Sequence, residues 1–297
     1  MRHIDIKDKI PELLPDSPNW GLFVRVGDLT KLRGNPDGTF HHANYESGLL
    51  LYSLVMKFRP TQILEIGTGR GYGAMCMAMG LRDAGIDGKI ITLDVHAYDQ
   101  KQEWAIDDGN GPRIENLSLK DVWEKHFDDD LRGRIEHRQG FSSDGMERLL
   151  AEGNFHPQLI YIDGDHTYTI TRHDLFASML LAARPFRILM DDYHPRSDLY
   201  GVRRLVDDTL EPVFQMDAIH NDQRWHGEAR AKLPISESNY AQVLLDSDKT
   251  SQDIDAAFPT KKLEHVVKAH RRWGRTSLFM EYGMLNLRKR LGLLERQ

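Results

Sequence analysis

Residues 63–73, Ile63-Leu64-Glu65-Ile66-Gly67-Thr68-Gly69-Arg70-Gly71-Tyr72-Gly73, restrict the fold more than any other stretch of the chain. Apolar residues run into a glycine-rich turn, and Ala74-Met75-Cys76-Met77-Ala78-Met79 follows. The pattern reads as strand, tight loop, helix. Glycines are needed where the backbone takes positive φ or a ligand comes close. The helix that opens after the turn offers free N–H groups and a positive dipole end. A doubly wound α/β sheet binds nucleotide-like ligands at such a turn, outside the carboxyl ends of its strands.

The spacing leaves the ligand open. Counted from Gly67 the run is G-x-G-x-G, and Tyr72 breaks the dinucleotide pattern G-x-G-x-x-G; counted from Gly69, the residues Gly69, Gly71 and Ala74 satisfy G-x-G-x-x-A. The turn alone does not separate a nicotinamide site from an S-adenosylmethionine (SAM) site, or either from a turn with no ligand. The next strand, Lys89-Ile90-Ile91-Thr92-Leu93-Asp94, ends in an acid placed to hold ribose hydroxyls, which both cofactors carry.

Patterning along the chain extends this frame. Residues 1–44, with four prolines and four glycines, read as an irregular arm or lid with one short strand near Leu22-Phe23-Val24-Arg25-Val26. His41 and His42 read as loop residues. A helix over Glu46–Phe58 precedes the first strand at Gln62, and a polar stretch at 97–117 precedes a helix near Leu119–Phe127. Trp123 reads as packing, and Trp104 as a packing or lid residue. Further strands are expected at 134–140, 158–163 and 187–190, each followed by a helix. Ser142, Ser143 and Asp144 suit an N-cap or contacts to an adenine ring. The order βαβαβαβαβα implies a parallel sheet with right-handed crossovers. Residues 213–216 and 240–245 read as two closing strands, one antiparallel, around a polar insert with Trp225 and His226. Residues 259–297 carry ten Lys/Arg against three acids and read as a basic helical extension that docks on the core or on a second copy. The boundaries expected are 1–44 for the arm, 45–250 for the ligand-binding domain and 251–297 for the extension.

Bulk properties exclude some classes. The net charge of −6 gives no general footprint for nucleic acid. No apolar run reaches membrane-spanning length, and the N-terminus lacks a signal-peptide core. The single cysteine, Cys76, rules out an intramolecular disulfide and fits a cytoplasmic protein. It reads as a buried small hydrophobe.

The chemistry collects at two later strand ends. Gln158-Leu159-Ile160-Tyr161-Ile162-Asp163 runs into Gly164-Asp165-His166, and Arg187-Ile188-Leu189-Met190 runs into Asp191-Asp192-Tyr193-His194. Asp163, Asp191 and Asp192 would converge and repel unless a cation or proton sits among them. Mg²⁺ or a similar hard divalent ion accounts for them economically; capping of the next segment is the plainer role for Asp191-Asp192. His166 suits a general base near neutral pH, with His194 as its rival and His173 as a helix-surface residue. Such parts suit methyl transfer to a hydroxyl: the oxygen loses its proton to a base, and the protein holds oxygen, methyl and sulfur in line.

At this point the chain resembles the class I SAM-dependent methyltransferases, on Glu65-Ile66-Gly67-Thr68-Gly69, Asp94, Gly140-Phe141-Ser142, Tyr161-Ile162-Asp163-Gly164-Asp165-His166 and Leu189-Met190-Asp191-Asp192-Tyr193. It is most similar to the subgroup of macrolide-sugar O-methyltransferases and cephalosporin-hydroxylase-like proteins, over about residues 45–215. The resemblance implies a Rossmann-like, mostly parallel seven-stranded sheet. It implies that Glu65, Gly67 and Gly69 line the methionine part of SAM, with Thr68 and Tyr72 also at the cofactor. Asp94 would lie on the ribose hydroxyls and Phe141 and Ser142 by the adenine, with Val95 also at the cofactor. Asp163, Asp191 and Asp192 fall on metal-ligand positions, His166 falls on the proposed base, and Asp163 is expected to act with His166 in catalysis and to touch the cofactor as well. Asp191 departs from the Glu common at its position in the sugar enzymes. The expected activity is O-methylation of a sugar, a glycosylated natural product or another small hydroxylated molecule, by a homo-oligomer. The alternatives are a nicotinamide-dependent oxidoreductase and a SAM-fold binding or assembly protein without catalysis.

Overall fold

A computed structural model describes residues 1–16, 18–195, 201–221 and 240–270. The arm is more regular than its prolines and glycines suggest. It holds β1 (Arg2–Asp5), α1 (Ile6–Leu13), α2 (Trp20–Thr30) and the short pair β2 (Leu32–Gly34) and β3 (Phe40–His42). The strand expected at 22–26 is therefore inside α2. The Asn19 side chain caps that helix by accepting from the Gly21 N–H, and Phe23, Val26, Gly27 and Thr30 are buried at helical spacing. Gly27 is required here, because a Cβ would lie 2.4 Å from the Tyr45 ring.

The ligand-binding frame then follows in order. It runs α3 (Glu46–Phe58), β4 (Gln62–Ile66), α4 (Tyr72–Asp83), β5 (Lys89–Asp94), β6 (Gln102–Ile106), β7 (Arg113–Leu117), α5 (Leu119–His126), α6 (Asp129–Gly133) and β8 (Ile135–Gln139). After these come α7 (Ser142–Glu152), β9 (Leu159–Ile162), α8 (Tyr168–Leu181), β10 (Arg187–Tyr193), α9 (Gly201–Leu205), β11 (Asp217–His220) and β12 (Ala241–Asp246). The polar stretch at 97–117 contains the antiparallel hairpin β6–β7, with Trp104 fully buried and its indole N–H donating to the Leu29 carbonyl. The late strand expected at 213–216 is displaced to 217–220; Phe214 makes only an isolated bridge to Thr250.

The main sheet has eight strands in the order β1-β11-β12-β10-β9-β4-β5-β8. Only β12 runs antiparallel, between β10 and β11. The expected doubly wound sheet is thus present, with an eighth strand, β1, added parallel to β11. Side chains alternate across it. Ile63, Ile90, Leu159 and Leu189 pack under α1–α4, while Leu64, Ile91, Ile160 and Ile188 pack under α7–α9. The order reverses between β4 and β9, so a crevice opens at their carboxyl ends. Residues 260–270 are helical, and Leu263 and Val267 join the second core. Trp225, His226 and the tail from 271 lie outside the described residues.

Candidate functional site

The glycine turn is fixed from below. Gly67 has φ +94°, and a Cβ there would lie 2.1 Å from the Asp163 carbonyl oxygen, so the turn passes directly over the end of β9. Arg70 is half-buried. Its guanidinium donates to the carbonyls of Ala105 and Leu32 and lies 5.6 Å from the Trp104 ring, tying the turn to the hairpin and the arm.

A cavity of about 570 Å³ opens above this turn. Glu65, Gly67, Thr68, Gly69, Tyr72, Asp94, Val95, Phe141, Ser142 and Asp163 all line it. Its size is that of a small-molecule or cofactor site. At one end, Phe141 and Val95 are 64% and 49% exposed, two large apolar side chains offered to solvent beside the strand ends. Phe141 is also the N-cap of α7, without a side-chain capping bond, so the serines do not cap as their position suggested. In the middle, Asp94 accepts from the Gly69 and His96 backbone N–H groups at 2.8 and 2.9 Å. Glu65 lies below, accepting from the Thr92 hydroxyl at 2.6 Å. Burial pushes its carboxyl up to about 8 against that bond, so a cation entering the cavity meets an acid ready to release a proton.

The far end holds the acids. Asp163 accepts from the Tyr161 hydroxyl at 2.9 Å. Burial, then the facing charge of Asp191, drives the Asp163 carboxyl well above the ordinary carboxylate range. Asp191 accepts from the Tyr240 hydroxyl, which accepts in turn from the Asn44 amide at 2.9 Å. Asp192 occupies a bulge in the β10–β12 pairing with φ +54°, a left-handed conformation that Asp tolerates better than most residues. The bulge turns its carboxylate to the His166 Nε2, 2.9 Å away; the same nitrogen is 4.0 Å from Asp163. His194 stands 3.9 Å from Asp192. His173 is not on the surface. It is buried, 3.1 Å from the Asp174 carboxylate, with its ring 4.4 Å from that of His270. His42 stacks on Tyr45 at 4.5 Å and lies outside the cavity lining.

Among the described residues, no three His, Cys, Asp or Glu side chains are arranged as they stand to hold a metal ion. The donor chemistry still fits a hard cation. Three carboxylates occupy adjacent strand ends, and the raised Asp163 carboxyl marks a place where a proton or cation relieves repulsion. Residues that sequence reasoning passed over are Lys31, Asn44, Tyr161 as a donor, and Tyr240. Only Tyr161 had a signal, its position in the Tyr161–His166 motif; the others reach the site through tertiary packing. No helix among the described residues is long and apolar enough to cross a membrane.

Residues 64–193 match the family model of a methyltransferase domain. No curated protein matches the sequence at a significant level. Among solved structures, an O-methyltransferase from Bacillus cereus in complex with SAH is similar, with a TM-score of 0.50 and 16% identity over 81% of this chain and 96% of that one. The O-methyltransferase TomG from Streptomyces achromogenes, solved with SAM, has a TM-score of 0.49 and 14% identity over 81% and 95% of the two chains. The likeness to the Bacillus cereus structure concerns the fold.

Proposed function

From a chain that carries a methyltransferase domain of the class I SAM-dependent fold, we propose an enzyme that transfers a methyl group from SAM to a hydroxyl of a sugar, a glycosylated natural product or another small molecule. The observation that carries this reading is the junction of two features. A cavity suited to a nucleoside with an amino-acid end closes on Asp163, and His166 stands 4.0 Å beyond that carboxylate. The matched methyltransferase domain, and the SAH-bound structure of similar fold, support SAM over nicotinamide. A carboxylate–histidine pair at the cavity's end supports catalysis over a purely binding role.

SAM supplies a methyl group already activated on a sulfonium. In this reading Glu65 and the turn from Gly67 to Gly69 hold the amino-acid end. Asp94 holds the ribose, and Val95 and Phe141 sandwich the adenine. His166 takes the hydroxyl proton, and Asp192, 2.9 Å from its Nε2, stabilises the imidazolium that results. Tyr161 and Tyr240 hold Asp163 and Asp191 in place by donating to them. Asn44, Asn221 and Tyr240 hydrogen-bond to one another next to Asp191, and in this reading they are the polar groups that meet a polyhydroxylated acceptor. A divalent cation would be held by Asp163, Asp191 and Asp192, where its Lewis acidity would lower the pKa of the acceptor hydroxyl.

The test is transfer of labelled methyl from SAM to a panel of hydroxylated sugars and glycosides. Activity is expected to vanish in excess chelator and to return with Mg²⁺. Full activity in chelator would remove the metal from the proposal, and methylation confined to nitrogen or carbon acceptors would overturn the O-methyl assignment.

A further inference from the structure

The N-terminal arm brings a cation into the cavity. Lys31 follows α2 directly and lines the cavity beside Thr30. Its ammonium lies 5.3 Å from the centre of the Tyr72 ring. That ring is a fixed platform, because it is buried and its hydroxyl donates to the Tyr45 carbonyl. The ion-paired lysines among the described residues are Lys9, Lys89, Lys120, Lys125 and Lys268. Lys31 is not one of them. Its charge nevertheless acts on Glu65 and Asp163, which line the cavity, and on Asp192 beyond them.

Other basic side chains at the cavity are committed elsewhere or lie further out. Arg70 donates to two backbone carbonyls, His96 is held by Asp94, and Arg33 is exposed. Lys31 therefore offers a half-buried ammonium, steadied on an aromatic face, on the same side of the cavity as Tyr72 and Glu65. A ligand end that carries both an ammonium and a carboxylate complements an acid and a base set in this way. We propose that Lys31 binds the α-carboxylate of SAM, so that the cofactor ties the arm to the sheet. This rests on the SAM reading above. A charge-assisted bond in a partly desolvated site is also specific for its partner.

Calorimetry with two ligands tests the assignment: SAM, and decarboxylated SAM, which keeps the amine and the sulfonium. Wild-type protein should bind SAM about 10- to 100-fold more tightly than the decarboxylated form. In Lys31→Met that gap should close, through weaker SAM binding alone, and Lys31→Arg should restore much of it. An equal loss for both ligands would mean a merely structural role and would overturn the assignment. So would unchanged SAM binding, whether alone or with a raised KM for the acceptor. Wild-type protein that binds neither ligand would instead overturn the SAM reading on which the assignment rests.

Discussion

His166→Gln lowers the turnover of methyl transfer by roughly 10²- to 10⁴-fold and leaves SAM affinity within a few-fold of wild type. Glutamine keeps a polar group near Asp192 but cannot hold the transferred proton. The imidazole Nε2 is 2.9 Å from Asp192, and His166 is not among the residues lining the cavity, so binding and turnover separate. The pH dependence has a definite sign. Burial opposes a charge on this ring, but the hydrogen bond and charge of Asp192, with the charges of Asp163 and Asp191, outweigh it and push His166 from 6.5 up to about 9. A histidine raised in the folded state contributes stability that is fully present below about 6.5 and is lost as pH rises through about 9. The neutral ring, which is the form able to accept a proton, gains population over the same range. Turnover of the wild type should climb toward pH 9, and the profile of His166→Gln should be flatter. An unchanged rate in the variant would move the base elsewhere, with His194 the next candidate at 3.9 Å from Asp192.

Gly67→Val should destabilise the fold by about 3 kcal/mol or more, measured by denaturant unfolding of the ligand-free protein. Two independent costs act at this position. The backbone has φ +94°, which β-branched residues avoid, and the added Cβ would lie 2.1 Å from the Asp163 carbonyl oxygen. That obstacle is backbone at the end of a central strand, so it cannot rotate away. Gly69 provides the contrast. It also has positive φ, at +54°, but nothing lies within 4 Å of the point where an alanine methyl would sit, so Gly69→Ala should cost only about 1 kcal/mol. Equal stability of the two variants would contradict the close passage of the turn over β9.

The sequence carried the frame where local pattern and tertiary role agree. Strands such as Gln62–Ile66 and Lys89–Asp94 are mostly apolar and buried at 63–66 and 90–93, because both faces of a central parallel strand are covered. Their ends are marked by glycine or acid, so the places of Asp94, Asp163 and Asp192 could be read directly. The arm was harder. Its Pro and Gly content suggested irregular chain, yet Asn19 and the spacing Phe23, Val26, Thr30 write a helix that the apolar run 22–26 obscured. β1 is four residues long and half polar, and it is defined by pairing with β11 more than 200 positions away. The hairpin β6–β7 is similarly polar on its outer side, and its inward anchor is Trp104. His173 sits on a helix whose surroundings include residue 270, a contact no local pattern announces. In the site, the residues that only packing reveals, Lys31, Asn44 and Tyr240, come from outside the matched span 64–193.

The most direct test of the account is a calorimetric titration of SAM into metal-depleted protein, repeated with Mg²⁺ and with the Asp94→Ala variant. Saturable binding at one site per chain is expected, weakened by about tenfold or more in the variant, which removes the proposed ribose contact. Absence of binding both with and without Mg²⁺, or full affinity in Asp94→Ala, would contradict the placement of SAM in this cavity.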